Sequence, residues 1–155
     1  MNKALRTARA NGVTTLHNPA PAQALGSQFL ALIDVLVCNE VEAYMLTSIK
    51  VKTIAHAGRA SKSVRAKGVM NVVITLGARS LVYLHEVEKN PLHIAVQRVK
   101  AIDTTAAGDT FVGYLAAALA QNMSVAAALE LASRAAARAV TQRGAVPSIP
   151  TRASV

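Results

Sequence analysis

The chain has 155 residues and a formal net charge of +9, with 17 Lys and Arg against 8 Asp and Glu. At 52% apolar residues it is long enough for one domain with a true core. Its single cysteine, Cys38, excludes an internal disulfide and fits a reducing, cytoplasmic setting, and no apolar run reaches the length of a membrane span.

In chain order, Met1 to Asn11 carries Lys3, Arg6 and Arg9 without acids, a pattern shared with transit peptides. It reads as a helix that Gly12 stops. Val13 to Leu16 is a β-rich run, and the Asn18-Pro-Ala-Pro stretch ends regular structure because proline fixes φ and removes a donor. Leu25 to Leu32 suits a short helical turn. Ile33 to Cys38 is apolar except for Asp34, as expected of a parallel strand buried on both faces. Glu40 to Thr47 reads as a short helix.

Lys50 to Gly68 reads as a basic surface helix with Ile54, Ala57, Ala60 and Val64 on one side and Gly68 as its cap. Val72 to Leu76 is the next buried strand, and Gly77 to Arg79 turns the chain. Leu81 to Leu84 and His93 to Val99 read as an antiparallel pair. Phe111 to Ala120 and Val125 to Val140 read as Ala-rich helices, the second with Leu129, Ala132, Ala136 and Val140 on one face. Alternating strands and helices imply crossover units and an α/β fold around a mostly parallel sheet.

The positive charge alone suggests a nucleic-acid binder, but the basic residues are scattered and the aromatics number only Phe29, Tyr44, Tyr83, Phe111 and Tyr114. Nothing in the motifs calls for nucleic acid or membrane. His17, His56, His85 and His93 show no metal-ligand spacing. Cys38 has no identifiable His partner and reads as a buried strand residue.

Asp103-Thr-Thr-Ala-Ala-Gly-Asp109-Thr110 stands between a strand-like run and a helix-like run. The first N–H groups of a helix have no partner within it, and the helix dipole favours an anion there. Ala106, Ala107 and Gly108 carry almost no side chain, so a phosphoryl group can approach their N–H groups. Asp109 beside it can take a proton from an attacking hydroxyl. The structural alternative is a helix start capped by Thr104 or Thr105, with Asp109 as a favourable first-turn acid.

This motif resembles the signature of the ribokinase-type (phosphofructokinase B) sugar kinases, Asp-Thr-x-Gly-Ala-Gly-Asp, in which Ala is accepted at the first Gly. His17-Asn-Pro-Ala-Pro-Ala22, Cys38-Asn-Glu-Val-Glu-Ala43, Ile74-Thr-Leu-Gly-Ala-Arg79 and the tail Thr141 to Pro150 resemble further family motifs in the expected order. The resemblance covers nearly the whole chain but only the C-terminal half of a family member. It implies one partial domain over residues 1–155, ribokinase-like and three-layered.

The resemblance further implies ATP-dependent phosphorylation of the terminal hydroxyl of a pentose, with D-ribose favoured. Asp109 would be the base and substrate contact, with Ala106, Ala107 and Gly108 as anion hole. Asn39 and Glu42 would serve the Mg2+–phosphate region, and Thr75, Leu76, Gly77, Ala78, Arg79, Ser80 and Ser133 the nucleotide. Asp103, Thr105, Ala139, Gln142, Gly144 and Ser148 line up with a monovalent-cation (K+) site. Ser80 departs from the family, which usually has Gly there and so leaves more room for a nucleotide.

The family's N-terminal half supplies sugar contacts and a lid, neither of which is in this sequence. The alternative to a kinase is therefore an inactive half-domain that holds nucleotide or a partner protein. A half-sheet also exposes a strand edge, from which homodimerisation or other association is expected.

Overall fold

Five strands follow from the apolar runs: β1 (Leu16–His17), β2 (Val35–Cys38), β3 (Asn71–Thr75), β4 (Ser80–Leu84) and β5 (Leu92–Ala95). They lie side by side in chain order in one sheet, β1 to β3 parallel and β3 to β4 antiparallel. The architecture comes from a computed structural model that describes residues 2–155. The chain divides into two compact units, Met1–Ile94 and Ala95–Val155.

The first unit holds the sheet and four helices, α1 (Asn2–Ala10), α2 (Ser27–Leu30), α3 (Glu40–Thr47) and α4 (Ile54–Arg65). Along a strand successive side chains alternate between faces. Leu36, Cys38, Val72, Ile74 and Val82 share one core cluster with Leu30, Ala43, Leu46, Ala57, Ala60 and Val64 from the helices. Register agrees, with Leu36 opposite Val72, Cys38 opposite Ile74, and Ile74 opposite Val82. Each large side chain so buried contributes about 1.5–3 kcal/mol, and the many alanines contribute less. Val35, Val37, Val73, Leu81 and Tyr83, at the alternate positions, are buried as well.

Three expected boundaries move for local reasons. β1 starts at Leu16, because Thr15 gives β2 only its carbonyl, which accepts the Val35 N–H at 2.9 Å: its N–H and Oγ1 donate to Asp34 Oδ2, at 2.7 and 2.9 Å. That pairing also accounts for the one acid in the second apolar run. α4 starts at Ile54 instead of Lys50, because Thr53 caps it by accepting the His56 N–H at 3.1 Å. Ile54, expected on the buried face, is 47% exposed, and Ser61 is buried in that face. β5 ends at Ala95, short of the expected Val99.

The second unit is built on α5 (Ala107–Ala120) and α6 (Val125–Ala139). Phe111, Leu115 and Ala118 of α5 are buried, as are Ala128, Leu129, Leu131, Ala132, Ala135 and Ala139 of α6. The buried stripe of α6 is wider than the periodicity predicts, and Ala136 and Val140 are only half buried. Small side chains let two helices approach closely, which is the use of an Ala-rich pair. Beyond α6 the chain runs through two short 3-10 turns, Val146–Ser148 and Arg152–Ser154. Among the described residues, no helix is long and apolar enough to cross a membrane.

Candidate functional site

In the second unit, α5 starts four residues earlier than its apolar run, at Ala107. Its N-cap is Ala106, not Thr104 or Thr105, and no side chain caps it. Ala106 is left-handed, at φ 59° and ψ 9°. A non-Gly residue there costs roughly 1–2 kcal/mol. This geometry overturns the threonine cap. Among the described residues the N–H groups of Ala106, Gly108 and Asp109 find no acceptor, while that of Ala107 donates to Thr104 O at 3.3 Å. Asp109 is exposed in the first helical turn and borders a groove of about 360 Å3 that Thr110, Tyr114, Gln121 and Arg152 also line. Thr110 is 3% exposed and its Oγ1 has no partner.

Asp103 organises the loops around that helix start. Its Oδ1 accepts the Thr105 N–H and its Oδ2 the Gly144 N–H, both at 2.9 Å. Hydrogen bonding from the Thr105 side chain, then from the Gly144 and Thr105 N–H groups, pulls its carboxyl down to about 2. Gly144 has φ +90°, a conformation natural only to glycine. Ser148 is buried and donates to Ala145 O, and Gln142 N–H donates to Ala139 O. So Asp103, Thr105 and Gly144 are directly joined, while Ala139, Gln142 and Ser148 shape the adjoining backbone. Both Asp103 oxygens are thus engaged by backbone N–H groups of the two loops.

In the first unit, Asn39 caps α3. Its Oδ1 accepts the N–H groups of Val41 and Glu42, both at 2.9 Å, and the Glu42 carboxylate reaches back to the Asn39 N–H at 2.8 Å. This reciprocal pair is a capping box. It occupies the Asn39 carbonyl oxygen, so only the amide nitrogen of that side chain is left to meet a ligand. Glu42 is 5% exposed, and its Oε2 takes a second hydrogen bond from Asn18 Nδ2 at 3.2 Å. Its Oε1 accepts no hydrogen bond from the described residues and is not fully shielded. A carboxylate with one oxygen tied and one open suits a magnesium ion that keeps waters and leans on phosphates. Among the described residues, no group of three His, Cys, Asp or Glu forms a closed metal cage.

Leu76 to Ser80 makes the turn between β3 and β4. The Leu76 N–H donates to Ser80 O at 2.9 Å, and Gly77 is left-handed at φ +57°. Thr75 Oγ1 reaches Cys38 O at 3.4 Å, and Arg79 pairs with Glu40 at 2.7 Å. The turn is thereby held beside the start of α3. Gly77, Ala78 and Arg79 are exposed, whereas Leu76 and Ser80 point inward. Ser80 is 2% exposed and its Oγ has no partner, so the hydroxyl is buried in the core. Ser133 is buried in α6. Cys38 is buried, and burial, then the Glu42 charge, push its thiol up.

Asn18 is the residue that sequence reasoning missed as part of the site. Its signal was present in the Asn-Pro pair that ends β1, where a side chain at the carboxyl edge of a parallel strand can reach the next strand's loop.

The family model for pfkB family carbohydrate kinases matches residues 1–152. The chain is 45% identical to the ribokinase of Mus musculus over 151 residues, covering 96% of this chain and 47% of the relative. It is 44% identical to the ribokinase of Haemophilus influenzae, covering 96% of this chain and 48% of the relative. The chain thus spans about half the length of the curated relatives it matches. Among solved structures, Arabidopsis thaliana ribokinase complexed with ribose and ATP superposes with a TM-score of 0.90 at 29% identity, over 97% of this chain and 48% of that one. Thermotoga maritima ribokinase does so with a TM-score of 0.84 at 33% identity, over 97% and 50%. The expected ribokinase-like α/β fold with flanking helices is thereby established.

Proposed function

The chain belongs to the pfkB family of carbohydrate kinases, and we propose that it carries the nucleotide-binding and proton-abstracting half of an ATP-dependent ribokinase. The observation that carries this reading is the start of α5, which has unpartnered N–H groups and the exposed Asp109 in its first turn.

Asp109 accepts the proton of the sugar's terminal hydroxyl as its oxygen attacks the γ-phosphorus of ATP. The bond to the β,γ-bridging oxygen breaks, and ADP leaves. The free N–H groups of Ala106, Gly108 and Asp109 stabilise the charge on the transferring phosphoryl group, while that of Ala107 is held by Thr104 O. Magnesium, when bound, neutralises phosphate charge, and Glu42 is the residue of this chain that would face it. Asn39 serves chiefly by holding α3 and Glu42 in place. Gly77, Ala78 and Arg79 present an open turn to the nucleotide, and Asp103 with the backbone around Gly144 provides the monovalent-cation site. D-ribose is the favoured sugar because the Mus musculus and Haemophilus influenzae relatives are ribokinases.

A second reading is a half-domain that binds nucleotide without turnover, favoured by the chain's spanning about half of those relatives. One experiment separates the two: ADP release from ATP with D-ribose, magnesium and potassium, with Asp109→Asn in parallel. Ribose-dependent turnover that falls by about 10^3-fold or more in the variant supports the kinase. ATP binding without turnover, equal in both proteins, supports the half-domain.

A further inference from the structure

We propose that Asn18 is a positioning residue for Glu42, holding its carboxylate so that one oxygen is offered to the nucleotide's divalent cation. The proposal rests on the reading of Glu42 given above. Asn18 follows β1 directly and precedes Pro19, which is itself buried. Its amide nitrogen donates twice, to Val37 O at 2.9 Å and to Glu42 Oε2 at 3.2 Å. The first bond anchors the side chain to the end of β2, and the second spends the remaining proton on the carboxylate. With the Asn39 N–H on the same oxygen at 2.8 Å, Oε2 is held from two directions.

A helix cap alone does not need this. The capping box is complete with Asn39 and Glu42, so the Asn18 bond adds nothing to the first turn of α3. What it adds is a fixed rotamer for a nearly buried acid. A glutamate has three side-chain torsions, and one hydrogen bond to a helix terminus leaves the carboxylate plane free to rotate. A second donor, Asn18 just beyond β1, restrains that plane and leaves Oε1 without a hydrogen bond. Outer partners that orient a metal-facing carboxylate commonly matter by about 10- to 100-fold in metal affinity.

The test measures ATP binding to the full chain by calorimetry, in EDTA and across a magnesium titration, for wild type, Glu42→Gln, Asn18→Ala and Asn18→Leu. Thermal melting of each protein checks folding, and the near-isosteric, uncharged Asn18→Leu carries the test if the alanine variant does not fold. The expected result is a magnesium-strengthened affinity in wild type that Glu42→Gln removes. Both Asn18 variants should raise the magnesium concentration at half-effect by about tenfold or more, with affinity in EDTA unchanged. If Glu42→Gln removes the magnesium effect but the Asn18 variants keep the wild-type midpoint, the positioning role is wrong and the reading of Glu42 survives. An equal loss of affinity with and without magnesium in the Asn18 variants assigns the residue to packing and overturns the proposal. If magnesium has no effect on wild type, or Glu42→Gln leaves it intact, the reading of Glu42 falls and the proposal falls with it.

Discussion

Asp103 and Gly144 are joined by a 2.9 Å hydrogen bond across 41 positions of sequence, from the Gly144 N–H to Asp103 Oδ2. The bond closes the loop before α5 onto the loop after α6. It needs the carboxylate form, and the lowered pKa of about 2 reflects that. The folded value lies below the ordinary aspartate value, so the unfolded chain takes up the proton first as pH falls. The stabilisation is therefore complete above about pH 4 and is lost as pH falls towards 2. The Gly144 amide resonance, followed by NMR, should titrate with a midpoint near 2. A midpoint near the ordinary aspartate value would mean that the bond does not persist in solution. Asp103→Asn should remove the titration.

Ala106 holds a left-handed backbone at the turn where the phosphoryl group is expected. Glycine adopts that conformation without strain, at a cost of about 0.4–1 kcal/mol in unfolded-chain entropy. Against a strain of about 1–2 kcal/mol, Ala106→Gly should stabilise the second unit by roughly 0.5–1 kcal/mol. Chemical denaturation measures the difference. A destabilised variant would show that the turn relaxes to another conformation in solution.

Much of this was legible because the elements rest on local rules. The strand Val35–Cys38 and the helix Glu40–Thr47 fall where apolar runs and the Asn39 cap place them. What the sequence hid depends on partners distant in the chain. Thr15 offers β2 only its carbonyl because the Asp34 carboxylate, 19 residues away, takes its N–H. The Asn18 contact to Glu42 spans 24 residues and has no local signature beyond the proline beside it. The left-handed Ala106 was hidden for another reason. Two threonines precede it and either suits a cap, whereas the chain turns one residue later through a conformation that alanine rarely takes.

The Ser80 hydroxyl is buried without a partner in the turn between β3 and β4. A buried, unpaired hydroxyl costs about 1–3 kcal/mol of desolvation. Ser80→Ala removes that cost while keeping the β-carbon, so it should stabilise the first unit by about 1 kcal/mol. Its effect on nucleotide affinity should be less than about twofold, since the side chain faces the core. Denaturation and ATP binding on the same protein check both statements. A large change in affinity at unchanged stability would put the hydroxyl at the nucleotide.

Gly68 is the place where the first unit tolerates no side chain. Its φ is +102°, and a β-carbon there would lie 2.8 Å from Ala31 Cβ and 2.9 Å from Ala31 Cα. The obstacle is mostly backbone, which cannot swing aside. Strain of about 1–2 kcal/mol and overpacking of about 1–3 kcal/mol together should make Gly68→Ala cost about 2–5 kcal/mol. Gly12 gives the control, because it is also left-handed, at φ +65°, but has open space around it. Gly12→Ala should therefore cost only about 1 kcal/mol, the strain alone. The difference between the two variants in urea denaturation isolates the contact between the end of α4 and the end of α2. Equal losses would mean that this contact gives way, and that positive φ is all that the two glycines share.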